Sequence, residues 1–252
     1  MSEKKIRYYE SYTDDFFQTE KEYILKTDYE YLPKSLWERV ISSVVYSIAF
    51  VFSSIYCRLF LHVRFVGRKK LKHQKGGFFV YANHTQAIGD VFNPALACFP
   101  KRIYTVVSPA NLYLPVIGKL VRPLGALPLP NTLSVMKKFN AAISQRINEG
   151  HPIIIYPEAH LWEYYTGIRD FDAASFLYPA RLSVPIYCFT TTYQKRKMGK
   201  KPRITIYIDG PFSSDAENRR EIAEELRNKV FEQMNERSKA SNCEYIRYVK
   251  KE

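Results

Sequence analysis

Residues 78–90 read FFVYANHTQAIGD, an apolar run that leads directly into polar and charged side chains. Short runs of aromatic and β-branched residues are typical of buried strands. Residues 153–162 read IIIYPEAHLW and repeat this arrangement. Each stretch therefore predicts a strand that ends at a cluster of groups with acid–base chemistry.

Similar runs recur along the chain and are separated by segments with helical spacing. Strands are predicted at 78–82, 103–107, 153–156, 185–190 and 204–208. Helices are predicted near 91–98, 133–148, 171–181 and 215–237, the last with a cap at Ser213 or Ser214. This alternation predicts an α/β fold with a mostly parallel sheet flanked by helices. Because ligands bind at the carboxyl ends of such strands, we expect His84, Asp90 and Glu158 to meet at one edge.

The first quarter of the chain has a different composition. Residues 1–36 are polar but rich in aromatic side chains, so we expect them to dock on the rest of the protein. Residues 40–57 form an uncharged run of eighteen residues that includes five serines. This run is compatible with a buried core helix, a single membrane span or, as we favour, a helix that dips into one leaflet. The chain then divides into 1–36, a membrane-associated helical segment at 37–66 and an α/β domain at 67–252.

Positive charge is concentrated in one part of the sequence. The formal net charge is +13, and between Arg58 and Asn148 there are fourteen Lys or Arg residues and one acid, Asp90. The cations that follow the apolar run would contact anionic headgroups, at about 1 kcal/mol each. They favour membrane lipids as partners and, if the apolar run spans the membrane, keep the domain on the cytoplasmic face, where we expect the protein. A nucleic-acid partner is not expected, because no RNP, zinc-finger or helix-turn-helix pattern is present.

A histidine with a carboxylate partner is suited to removing a proton from a hydroxyl group. Neutral imidazole has a pKa of about 6.5, and the acid fixes its tautomer. The sequence contains no G-x-S-x-G motif, which a serine hydrolase of this fold class would need. A metal-dependent hydrolase built from His84, Asp90, Glu158 and His160 is the main alternative, since these are suitable ligands.

Four motifs in order resemble those of the glycerolipid acyltransferase family, of the 1-acylglycerol-3-phosphate acyltransferase type. They are Asn83-His84 with Asp90, an apolar block at 114–118 with Gly125, Tyr156-Pro157-Glu158, and 184–186. The resemblance covers residues 60–210. It implies transfer of an acyl group to a lipid hydroxyl from a thioester on coenzyme A or acyl carrier protein. It implies no metal and no cofactor beyond that co-substrate.

The resemblance also assigns roles to individual residues. His84 would be the general base and Asp90 would orient it. The amides of the turn at 157–160 could receive oxyanion charge. The substrate-binding residues would be Asn83, Pro157, Glu158, His160, Arg122 and Arg169.

The chain departs from the family pattern at three places. Five residues separate His84 from Asp90 where the family has four, so the extra residue must be absorbed before the helix, with a bend at Gly89. Asn131 and Leu161 stand where the family has arginines for the acceptor phosphate.

The missing arginines affect the predicted substrate. The acceptor is then not simple lysophosphatidate, or its phosphate is held by Lys119, Arg122, Lys137 or Arg169. A family member that binds lipid without catalysis is a further alternative.

Overall fold

The computed structural model describes residues 5–17, 23–115, 117–197, 199 and 201–251. The strands in this part of the chain are β1 (Lys5–Tyr9), β2 (Arg64–Val66), β3 (Phe78–Ala82), β4 (Tyr104–Val107), β5 (Ala126–Pro128), β6 (Pro152–Ile155), β7 (Ile186–Gln194), β8 (Arg203–Phe212) and β9 (Ile246–Lys250). The α-helices are α1 (Leu36–Leu59), α2 (Lys69–Lys72), α3 (Gly89–Cys98), α4 (Gly118–Val121), α5 (Leu133–Asn148), α6 (Leu177–Leu182) and α7 (Arg219–Ser238). Short 3₁₀ helices occupy Pro109–Tyr113 and Ala174–Phe176.

Seven strands form the central sheet, in the order β2-β8-β7-β3-β6-β4-β5. The five strands from β7 to β5 are mutually parallel, whereas β8 is antiparallel to β7 and β2 runs parallel to β8. The predicted α/β class with a mostly parallel sheet is confirmed. Because β3 lies between β6 and β7, the loops that follow these three strands emerge side by side.

Helices cover both faces of the sheet, which explains why β3 is apolar at every position. Successive side chains of a strand point to opposite faces. Phe79 therefore packs in a core with Phe139 of α5 and Val230 of α7. Val80 packs in a second core with Cys98 of α3.

Two predicted helices differ from the structure. The segment predicted as one helix at 171–181 is a 3₁₀ turn followed by the short α6. The predicted cap of the last helix at Ser213 or Ser214 is wrong, because α7 begins at Arg219 and the Asn218 side chain accepts hydrogen bonds from its first N–H groups. The Ser214 hydroxyl instead donates to the side chain of Glu225, within α7, at 2.7 Å.

The N-terminal residues pack against the α/β domain. β1 pairs in parallel with β9 in a separate two-stranded sheet. Leu25 and Tyr31 are buried in the core. The helical part of the predicted segment 37–66 ends at Leu59, and residues 64–66 form β2 of the central sheet.

Helix α1 lies on the surface and packs on α3. The Ser35 side chain caps it by accepting from the Glu38 N–H at 3.2 Å. By length and composition alone α1 could cross a membrane, and only 11% of its most apolar 18-residue stretch is buried. Ser53 and Cys57 face the domain, whereas Ile48 and Phe52 are exposed.

Candidate active site

His84, in the loop that joins β3 to α3, forms a hydrogen-bonded pair with Asp90 at the start of α3. His84 Nδ1 lies 2.8 Å from Asp90 Oδ2. The His84 side chain is 24% exposed and that of Asp90 only 6%, so the pair is open to solvent on the imidazole side. An ionised carboxylate can only accept, so a hydrogen bond between these atoms requires the proton on Nδ1, and in the neutral ring Nε2 then presents a lone pair.

The loop shows how a separation of six positions still brings the two side chains together. Asp90 is the second residue of α3, and its Oδ2 also accepts the Gln86 N–H at 2.8 Å. The Tyr193 hydroxyl from β7 binds Thr85 Oγ1 at 2.7 Å and anchors the bend. The extra residue is thus absorbed before the helix.

Gly89 lies at the expected bend, but its backbone conformation is not one that only glycine adopts readily. Its φ is not in the left-handed region. A Cβ placed there would lie 2.8 Å from Asn93 Nδ2 and 2.9 Å from Gln86 Cβ. Glycine therefore provides space for the close approach of the loop to α3.

Glu158, in the turn after β6, contacts the main chain of His84. Its Oε2 accepts the His84 N–H at 3.3 Å, and the Trp162 N–H donates to the His84 carbonyl at 3.0 Å. Tyr156 stacks on the imidazole, with 4.5 Å between the ring centroids, and its hydroxyl donates to the Asp90 carbonyl at 2.6 Å. The structure thus brings His84, Asp90 and Glu158 together at one sheet edge.

Arg169 is buried beneath this turn and pairs with Glu158. Arg169 Nη2 lies 3.1 Å from Glu158 Oε2, and the main-chain N–H of Arg169 donates to Glu158 Oε1 at 3.1 Å. Both side chains are at most 1% exposed. Their nitrogens and oxygens are therefore directed into the protein, and not toward the solvent-facing side of His84.

The other residues predicted to bind substrate also make contacts within the chain. The Asn83 side chain joins the ends of β3 and β7 by two hydrogen bonds to the Thr191 main chain, at 2.7 and 3.1 Å. His160 Nδ1 lies 2.9 Å from Asp15 Oδ2. Pro157 begins the turn that carries Glu158.

Arg122 lies apart from these residues. Its Nη2 donates to the Leu32 carbonyl at 3.1 Å and lies 3.4 Å from Glu38 Oε2, near the start of α1. Arg122 therefore joins α4 to the segment that leads into α1.

The turn at 156–160 offers fewer free amides than we expected. The Ala159 N–H donates to the Tyr156 carbonyl at 3.1 Å, and the His160 N–H to the Glu158 carbonyl at 2.7 Å. Those two amides are thus not available to an oxyanion. Ala159 has a φ of 62°, in the left-handed region that favours glycine.

Burial dominates the electrostatics of the two carboxylates. Burial raises the pKa of Asp90, although His84 and the nearby N–H groups oppose the shift. Burial also raises the pKa of Glu158, with Arg169 as the main opposing group. A more basic Asp90 is a better partner for a protonated imidazole.

The geometry does not favour the metal-dependent alternative. Glu158 is directed to Arg169 and His160 to Asp15, so the four candidate ligands do not converge. Within the described part of the chain, no three His, Cys, Asp or Glu side chains are grouped so that they could hold a metal ion.

Several contacts of the site involve residues that the sequence did not indicate. The Tyr12 carbonyl accepts from Arg169 Nη1 at 3.2 Å, and the Asp14 carbonyl from Trp162 Nε1 at 2.9 Å. Only the aromatic richness of residues 1–36 signalled this docking, and it did not specify the surface.

The fold and site together define an α/β protein with a histidine–carboxylate pair at the carboxyl edge of a parallel sheet. Residues 62–192 match the family described as Acyltransferase. Because the match covers more than half of the chain, the protein belongs to the acyltransferase family. The resemblance to glycerolipid acyltransferases inferred from the four motifs is confirmed.

A solved structure has the same fold. The crystal structure of the 1-acyl-sn-glycerophosphate (LPA) acyltransferase PlsC from Thermotoga maritima aligns with a TM-score of 0.55 and 15% sequence identity. The alignment covers 83% of this chain and 86% of that one. No curated protein matches the sequence.

Proposed function

We propose that the protein is an O-acyltransferase that moves a fatty acyl group from an acyl thioester to the hydroxyl of a lysophospholipid-type acceptor. His84 is the general base and Asp90 its partner. The observation that carries the proposal is the 2.8 Å contact between His84 Nδ1 and Asp90 Oδ2 within the region that matches the family. Acyl-coenzyme A and acyl carrier protein both fit the role of donor.

The reaction requires only one base and one orienting acid. His84 Nε2 accepts the proton of the acceptor hydroxyl as that oxygen attacks the thioester carbonyl carbon. A C–O bond forms, the C–S bond breaks, and the sulfur leaves with the electron pair of that bond. The imidazolium gives its proton to the thiolate, while Asp90 stays ionised and stabilises the positive ring. No metal, cofactor or covalent acyl-enzyme takes part.

The contacts of the arginines support a proposal about the acceptor. Arg169 is buried on Glu158, and Arg122 binds the Leu32 carbonyl and Glu38. Positions 131 and 161 hold Asn131 and Leu161 in place of the family's arginines. A phosphate monoester therefore has no arginine partner at positions 122, 131, 161 or 169. We therefore favour a lysophospholipid whose phosphate is already esterified to a headgroup, since it carries less charge. Lys119 and Lys137 are then the candidates for contact with the phosphate.

The docking of α1 supports an interfacial location over a span. Near its N-terminus, the Ser42 hydroxyl donates to the Pro123 carbonyl at 2.8 Å and accepts from Arg102 Nη2 at 2.7 Å. Near its C-terminus, Tyr56 packs edge-on against Phe92 of α3. A helix that contacts the domain near both of its ends cannot cross a bilayer without drawing the domain in. We propose that α1 lies in one leaflet on the cytoplasmic face, where basic residues meet anionic lipid.

Mass spectrometry of reactions with a panel of lipids tests this function. Purified protein is incubated with acyl-coenzyme A or acyl carrier protein and with lysophosphatidate, lysophosphatidylcholine or lysophosphatidylethanolamine. We expect a new ester in the last two, with one thiol released per ester. Acylation of lysophosphatidate alone would contradict the proposed acceptor. Release of free fatty acid without ester would indicate a hydrolase, and no reaction with either donor would indicate a lipid-binding protein.

A further inference from the structure

Arg169 occupies the interior of the turn at which the family's arginine is missing. Its side chain is 1% exposed. Besides Glu158, its guanidinium binds the carbonyls of His160 and Tyr12. It also lies over the ring of Trp162, 4.9 Å from the centroid. The contacts join the turn after β6 to the N-terminal segment.

Glu158 connects this arginine to the proposed base. One carboxylate oxygen accepts the Arg169 N–H, and the other accepts both Arg169 Nη2 and the His84 N–H. The carboxylate is thus shared between the two residues and has no exposed surface. A chain of contacts runs from Arg169 through Glu158 to the main chain of His84.

We propose that Arg169 is a positioning residue for the acyl transfer: it holds Glu158 as a carboxylate, and that carboxylate fixes the main chain that carries the His84 imidazole. The inference rests on the proposed function. It gives Arg169 a different role from phosphate binding, because the side chain is directed away from the open face of His84.

The charge of Glu158 depends on this arginine. Burial raises the pKa of Glu158, and the Arg169 guanidinium is the largest opposing influence. In the described part of the chain, His84 and Tyr165 are further titratable groups that interact with Glu158. Without the guanidinium the pKa rises further, and the carboxylate forms only as pH increases through the new value. A protonated oxygen is a poorer acceptor for the His84 N–H.

Arg169→Met tests the proposal through kcat, KM and their pH dependence in the acyl-transfer assay. We expect kcat at pH 7 to fall by about 100-fold, with KM within about threefold, because a displaced base slows the chemical step more than binding. We also expect kcat to recover with increasing pH in a step that the wild type lacks. The double variant Glu158→Gln/Arg169→Met should lack that step, since glutamine does not titrate.

Arg146→Met is the matched control, because Arg146 is also buried and ion-paired, with its Nη1 2.7 Å from Glu149. It lies on α5 just before the amino end of β6, away from the turn. We expect a loss of stability, with the pH profile of kcat unchanged. If Arg169→Met does not fold, Arg169→Lys is used to test the proposal. Lysine keeps the positive charge but cannot make the several hydrogen bonds of the guanidinium. A reduced kcat with the wild-type pH profile supports the proposal, and a wild-type kcat overturns it.

The outcomes separate this inference from the proposed function. If the wild type transfers acyl groups and His84→Ala does not, the function stands whatever Arg169 does. In that case a pH profile of Arg169→Met parallel to the wild type overturns the positioning role. If His84→Ala keeps full activity, the proposed function itself is overturned.

Discussion

Replacing Asp90 with asparagine removes the charge beside His84 while nearly preserving the shape of the side chain. The imidazolium formed during the reaction would lose a carboxylate partner 2.8 Å from Nδ1. Two unit charges about 4 Å apart interact by about 4 kcal/mol at an effective dielectric constant of about 20. Since about 1.4 kcal/mol corresponds to a factor of ten in rate, kcat should fall by about 1,000-fold. KM should change little, because the charge develops only in the transition state.

Measurement of ester formation under saturating substrate, together with thermal unfolding, tests this prediction. Asp209→Asn is the matched control, because Asp209 on β8 is equally buried but binds Arg237 of α7 and Lys70 of α2. Per folded molecule, we expect the control to keep the wild-type kcat. A folded Asp90→Asn protein with a kcat within threefold of the wild type would refute the reasoning about the imidazolium.

Four further predictions concern the turn after β6, the stacked tyrosine, helix α1 and the buried Asp209. In a urea titration, Ala159→Gly should stabilise the fold by about 0.5–1 kcal/mol, because Ala159 has a left-handed φ of 62°. The control Ala142→Gly, within α5, should instead destabilise the fold by about 1 kcal/mol. Tyr156→Phe keeps the stacking on His84 but loses the hydroxyl bond, so kcat should fall by less than about tenfold, and a larger loss would assign the hydroxyl a direct role. Ile48→Asp on the exposed face of α1 should lower the partition coefficient for anionic vesicles, measured by sedimentation, by about 30-fold or more at an unchanged Tm. An unaltered partition coefficient would exclude this face from the bilayer. Burial raises the pKa of Asp209, but hydrogen bonds from Arg237 and Lys70 outweigh it and hold this pKa below its usual value. The wild type should therefore be more stable than Asp209→Asn above about pH 4 and should lose that difference as pH falls through the lowered pKa. A stability difference that is independent of pH would contradict the assignment.

The elements that the sequence predicts correctly are those with a local signal. Each of the five central strands contains a short, mainly apolar run. Helix α5 has apolar residues at helical spacing and a capping Thr132, and its bounds at 133 and 148 match the prediction. The meeting of His84 with Glu158 follows from parallel pairing of β3 with β6, which the alternation of strands and helices implies.

The elements that were not predicted depend on long-range contacts or on very short segments. β1 pairs with β9 across almost the whole chain, and no local pattern encodes that pairing. β5 has three residues and ends in proline. The cap of α7 was misplaced because serines and an asparagine precede the helix together, and only the course of the chain selects Asn218.

The site was predicted in outline but not in the roles of its basic residues. The spacing of motifs located His84, Asp90 and Glu158. It could not show that Arg169 turns inward, since that depends on a partner eleven positions earlier and on the carbonyl of Tyr12. The positive charge of an arginine is evident from the sequence, but whether its side chain is buried or faces a substrate is not.

The rate of ester formation by His84→Ala, relative to wild type, tests the central claim most directly. Both proteins are assayed at equal folded concentration with the same acyl thioester and lysophospholipid. We predict a loss of at least about 1,000-fold in kcat with a similar KM, because the proposed acceptor of the hydroxyl proton is gone. Acyl transfer by His84→Ala at the wild-type rate would contradict the account.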